Sequence, residues 1–167
     1  MTSDPAVVIR RAAPGDIPMM GRLGALLVRV HHEFDPQRFV AATPQTAEGY
    51  GSFLRTQLDE RDVILLVAER DDTVLGYTYS GVEGRDYMAL RGPAGVIYDI
   101  IVDEPHRGTG VGRLLLEATI EELAVRGAPR VMLSTAERNE QAQRLFAREG
   151  FRRTMIEMTR ELGGDGR

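Results

Sequence analysis

The chain has no cysteine. That absence excludes a disulfide-stapled scaffold, a thiolate zinc site and a cysteine nucleophile, and it fits a reducing compartment. No apolar run is long enough to span a bilayer. The first residues, Met-Thr-Ser-Asp-Pro, are polar, whereas a secretory leader has a basic stretch followed by an apolar one. A cytoplasmic location is the expectation. An excess of positive charge is also missing: 25 acidic against 21 basic residues give a net charge of −4 and a pI near 5.4. Such a surface has no broad attraction for nucleic acid or anionic lipid, and at most mildly favours a cationic partner. There is no internal repeat and no Gly-x-Ser-x-Gly nucleophile elbow. A length of 167 residues suits one domain, large enough to bury roughly two thirds of its unfolded surface without a metal. A single domain over 1–167, frayed at 1–5 and 161–167, is expected.

What is present is a succession of apolar patterns with clear stops. Ala6 to Arg11 predicts a strand, closed by Pro14-Gly15-Asp16. Asp16 is a candidate N-cap for a helix in which Met19, Met20, Leu23, Leu26, Leu27 and Val30 recur at helical spacing, a stripe read as core. Residues 33–44 hold two prolines and little periodicity and read as a loop. A second helix follows near Thr46 to Asp59. Asp62 to Arg70 and Val74 to Val82, joined by Asp71-Asp72, form a hairpin. After an irregular stretch, Gly95 to Val102 is strongly strand-like. A helix from about Thr109 is stopped by Gly127 and Pro129. Arg130 to Thr135 reads as a strand, Asn139 to Glu149 as a short helix stopped by Gly150, and Phe151 to Arg160 as a closing strand. The order β-α-α-β-β-β-α-β-α-β predicts an α/β (α+β) protein, a mixed sheet flanked by helices. Its middle is a meander and its second half a βαβ-like crossover.

The most informative segment is Arg107-Gly108-Thr109-Gly110-Val111-Gly112, between a buried strand and an amphipathic helix. Glycines there permit positive φ and clear the approach to the backbone. Successive N–H groups and the helix N-terminus then form a site suited to a diphosphate, with Arg107 as a fixed cation beside it. Arg113 stands where a Rossmann fingerprint needs its last glycine, and Gly112-Arg113-Leu114 lacks the Gly-Lys-Ser/Thr of a P-loop. The alternative is a flexible turn that caps a helix; the flanking strand and helix favour the phosphate reading.

These residues resemble the GNAT superfamily of acyl-CoA N-acyltransferases. Ile100-Ile101-Val102-Asp103 followed by Arg107 to Gly112 resembles the family's first signature. Val131 to Thr135, Asn139, Ala142, Leu145-Phe146 and Gly150-Phe151 resemble its second. The resemblance covers about Gly95 to Arg160, and the N-terminal half fits only in its order of elements. It implies a mostly antiparallel mixed central sheet with a βαβ-type CoA-binding half and about four helices. It also implies acetyl-CoA as co-substrate, an amine acceptor and, in similar proteins, often a homodimer. Carried over residue by residue, it implies that the pantetheine arm pairs with the backbone of Ile100, Ile101 and Val102. The Val102 N–H then serves the thioester carbonyl. The backbone of Arg107, Gly108, Thr109, Gly110, Val111 and Gly112 holds the pyrophosphate, Asn139 bonds the pantetheine arm, and Arg113 and Phe146 belong to the same CoA-binding set. Asn139 is also a good N-cap residue.

Acylating an amine requires loss of a proton from an ammonium whose reference pKa is about 10.4, a preorganised donor for the oxyanion and a proton for the departing thiolate. Asp99, an acid in an otherwise apolar strand, is the candidate base; the alternatives are a structural hydrogen bond or an exposed strand position. Many family members have tyrosine where this chain has Phe146, which cannot donate a proton. Tyr98, Tyr79, Ser134 or water must substitute, or the thiolate leaves unaided. His31 and His32 diverge by about 100° on a helix, so no metal site is expected there; a role in the acceptor pocket is the other reading. The reaction implied is acetyl transfer to a primary amine of a small molecule or a protein, with a non-catalytic acyl-CoA-binding module as the alternative.

Overall fold

The computed structural model describes residues 6–163. Its five strands, β1 (Val8–Arg11), β2 (Val63–Arg70), β3 (Thr73–Glu83), β4 (Ala94–Val102) and β5 (Val131–Leu133), lie side by side in chain order. The first four are antiparallel and β5 runs parallel to β4, across the crossover helix α3 (Val111–Val125). Helices α1 (Ile17–Phe34) and α2 (Thr46–Gln57) cover one face, and α3 with α4 (Glu140–Arg148) the other.

The period of two in β2 explains the two-layered core. Leu65 and Val67 join Met20, Leu23 and Leu54 under α1 and α2, while Ile64, Leu66 and Ala68 meet Leu115, Leu116 and Leu123 of α3. A strand covered on both faces is apolar throughout, as 64–68 are. The β2–β3 turn has Asp71 and Asp72 at φ 49° and 57°, the left-handed pair that matches the twist of a hairpin.

One irregularity shapes the rest. Tyr79 pairs with Asp99 and Ser80 with Ile97, so Tyr98 is left over as a β-bulge. Ile97 and Ile101, which would share a face of a regular strand, therefore enter opposite layers. β5 follows β4 only through Gly95, Val96 and Ile97, and beyond the bulge the two strands part.

Four expectations change. Helix α1 continues to Phe34, and the strand expected over Arg130 to Thr135 is only Val131–Leu133. Asp16 does precede α1, but its carboxylate turns back to accept the Ala13 N–H (2.7 Å) and pair with Arg10 (2.8 Å), so no side-chain cap forms. The closing strand is absent: Phe151 to Arg160 belongs to no strand, and Met155, Ile156 and Met158 are exposed. These residues suit a strand, but β propensity needs a neighbouring edge and a face to pack on. Arg38 and Glu157 pair across from the loop behind α1. Of the ends expected to fray, residues 1–5 and 164–167 lie outside the described region. No helix among the described residues is long and apolar enough to cross a membrane.

Candidate active site

The parting of β4 and β5 opens a cleft of about 970 Å³ that runs from the glycine loop to α1. The Asp103 N–H donates to the Leu75 carbonyl of β3. By antiparallel alternation, Ile101 also faces β3, whereas the N–H groups of Ile100 and Val102 point toward the cleft. The unpaired edge of β4 is thus a ready template for an extended amide-bearing chain.

At the loop, Gly108 and Gly110 have φ 73° and 91°, and a Cβ built on either meets nothing within 4 Å. The requirement for glycine here is conformational and not steric. Gly110 occupies the N-cap position of α3, so the helix's free N–H groups open at this point. Arg107 is held by its Nε donating to the Val102 carbonyl (3.0 Å), and one of its terminal nitrogens is buried without a partner. A buried, unsatisfied guanidinium nitrogen on a cleft wall fits an anionic or carbonyl ligand. Arg113, Arg144 and Arg148 line the same end. These residues suit the pyrophosphate of coenzyme A, and β4 suits its amide-bearing arm.

Asp99 lies at 9% exposure, where an ionised carboxylate needs donors. Two tyrosine hydroxyls supply them: Tyr50 donates at 2.6 Å and Tyr77 at 2.9 Å, both to Oδ2. Burial pushes the Asp99 carboxyl above its usual range, while the two hydroxyls and nearby His31 pull the other way. Burial, together with the Asp99 charge, also raises both tyrosines. Tyr50 reaches Asp99 because α1 has Gly24 beneath its ring; a Cβ there would sit 2.2 Å from Tyr50 Cδ1.

Most of the residues anticipated from sequence meet in this cleft: Tyr98, Asp99, Ile100, Ile101, Val102, Arg107, Gly108, Gly110, Gly112, Arg113, Asn139 and Phe146. Two do not line it. The Thr109 hydroxyl donates to the His106 carbonyl (2.5 Å), and the Val111 side chain is buried in the core. Asn139 caps α4 by accepting the Ala142 N–H (3.2 Å), which leaves its amide nitrogen for other use. The Tyr98 hydroxyl donates to Glu83 (2.6 Å) and that of Tyr79 to Gln57 (3.2 Å). Ser134 lines the cleft. His31 and His32 contact different carbonyls, those of Leu27 and Phe39. Sequence reasoning missed Tyr50, Tyr77, Arg144 and Arg148. The four arginine and tyrosine positions carry no motif; only a buried acid's need for donors pointed toward the tyrosines.

The model of the acetyltransferase (GNAT) family matches residues 27–151. The chain belongs to the GNAT family. Among curated proteins, it is 38% identical over 96 residues to the mycothiol acetyltransferase of Thermobispora bispora, covering 55% of this chain and 31% of the relative. The chain thus spans about a third of the length of the curated relatives it matches. Two solved structures share the fold. A mutant BH1408 protein of Bacillus halodurans has TM-score 0.79 at 21% identity, covering 93% of this chain and 99% of that one. A predicted acetyltransferase of Clostridium acetobutylicum, solved with acetyl-CoA, has TM-score 0.71 at 14% identity, covering 92% and 96%. This GNAT chain reproduces the architecture expected from its sequence apart from the closing strand.

Proposed function

We propose that this GNAT chain is an acetyl-CoA-dependent N-acetyltransferase that transfers acetyl to a primary amine by direct attack on the thioester. The observation that carries the reading is the cleft itself: an unpaired β4 edge leads to two left-handed glycines at a helix N-terminus, and Arg107, with an unsatisfied terminal nitrogen, lines the same cleft. Asp99 takes the proton from the acceptor's ammonium. The freed lone pair attacks the thioester carbon, and the Val102 N–H, fixed by the strand, receives the developing oxyanion. The carbon–sulfur bond then breaks. Tyr98 walls the site, its phenol tied to Glu83, and Ser134 relays the second proton, shed by the acylated nitrogen, to the departing sulfur, which leaves the neutral amide and the CoA thiol.

Homodimerisation belongs to the same reading. It is supported by the apolar, exposed stretch around Met155, Ile156 and Met158 and by the outer side of β5, which pairs with no strand among the described residues.

The donor assignment is tested by thermal protection. Acetyl-CoA at 100 times its Kd is expected to stabilise the protein by about 2.7 kcal/mol. Gly110→Glu brings a carboxylate to the diphosphate site and is expected to abolish protection, whereas Gly110→Asn, which tolerates left-handed φ, retains it. Equal protection in the Glu variant would refute the loop's role. Turnover is read as CoA release with mass detection of the acetylated amine. The chain contains no lysine, so acetyl transfer to its own lysines cannot contaminate that signal.

A further inference from the structure

The cleft has two chemically different ends, and the one away from the arginines defines an acceptor. It is walled by Leu27, Val30 and Phe34 of α1 and by Phe39 and Val40 of the loop behind it. Only two carboxylates line the whole cleft among the described residues, Asp99 and Glu149. Glu149 stands at the arginine end, 3.2 Å from Arg113. The apolar end therefore offers a single anion, already held by two tyrosine hydroxyls.

His31 lines the same end and adds a second polar group to it. Its Nδ1 lies 2.8 Å from the Leu27 carbonyl, which can only accept, so Nδ1 carries a hydrogen, and Nε2 is left as the ring atom for another partner. Phe34 and Phe39 pack edge-on against the ring at 6.3 and 5.0 Å and fix its orientation.

We propose, on the basis of the acetyltransferase reading, that the acceptor is a monoamine whose nitrogen is borne on an apolar aliphatic or alicyclic body. The ammonium meets Asp99, and the body lies along Val30, Phe34 and Phe39. A second ammonium on the acceptor would be desolvated against these walls without a counter-charge. A polyhydroxylated body would leave its hydroxyls without partners.

Matched pairs of amines test this on the intact protein with acetyl-CoA as donor. The expected kcat/KM for hexylamine is at least tenfold above that for 1,6-diaminohexane, which adds one charge to the same body. Cyclohexylamine is expected to exceed glucosamine by a similar factor. Val30→Asp supplies a second anion and is expected to narrow or invert the hexylamine preference while acetyl-CoA protection persists. Equal or better use of the diamine or the amino sugar by the unmodified protein overturns the proposal, as does an unchanged preference in Val30→Asp. Protection by acetyl-CoA with transfer to none of the four amines also overturns it and leaves the donor assignment standing. Absence of protection defeats the acetyltransferase reading itself.

Discussion

Asp99, the proposed base, combines two demands that usually conflict: to serve in that role it must ionise, yet it is buried deeply enough that ionisation is opposed. The Tyr50 and Tyr77 hydroxyls moderate the conflict, because a donor to a carboxylate favours the charged form. In Tyr50→Phe the nearer donor is lost and the carboxyl rises further. A hydrogen bond to a charged group contributes about 1.5–3 kcal/mol, so the acid limb of kcat/KM is expected to move to higher pH by about one to two units. A limb that stays in place, measured with one amine across the pH range, removes Asp99 from the role of base. Stability follows the opposite sign. Since the folded-state pKa lies above the unfolded value, ionised Asp99 costs stability at neutral pH, and that cost is relieved as pH falls through the raised pKa. Asp99→Asn keeps an oxygen for both tyrosines. It is expected to hold or raise Tm at pH 7 while lowering turnover by about 10²–10⁴, with acetyl-CoA protection retained.

The α1–α2 pair acts on the site as a unit, because Gly24 lets the Tyr50 ring lie against the α1 backbone and reach across to β4. In Gly24→Ala two effects oppose. Helix propensity gains about 1 kcal/mol, but the new Cβ stands 2.2 Å from a ring atom and forces the ring aside. Overpacking costs about 1–3 kcal/mol and the displaced hydrogen bond adds to it, so net destabilisation is expected. Thermal unfolding should show a lower Tm, and the pH profile should shift as in Tyr50→Phe; a Tm at or above the unmodified value would show that α2 yields without loss. None of this was legible in the sequence, where Gly24 and Tyr50 carry no motif and their proximity exists only once two helices dock. The loop from Arg107 to Gly112 was legible, because its glycines, flanking strand and following helix are contiguous. Asp99 was legible as an acid in an apolar strand. The bulge at Tyr98 was not, since it depends on the register between β3 and β4.

The same distinction holds for the whole molecule, and it explains the one element that failed to form. Every strand that formed has a paired neighbour within the chain, but Phe151 to Arg160 has none among the described residues. In the proposed homodimer, its exposed apolar residues are those of a strand that takes its partner from a second copy. A second copy offers both what this segment lacks and what β5 lacks, and a two-fold exchange satisfies both needs twice. Edge strands left open also invite uncontrolled pairing, so a closed dimer is the safer arrangement. Light scattering is expected to give twice the 18.5 kDa mass of the chain. Replacing Met155, Ile156 and Met158 together by serine removes only exposed apolar groups, so the core should remain intact. That variant is expected to run as a monomer, to lose the concentration dependence of Tm that dimerisation confers, and still to be protected by acetyl-CoA. A monomeric unmodified protein at tens of micromolar, or a dimer that survives the triple substitution, would place the dimer interface elsewhere or nowhere.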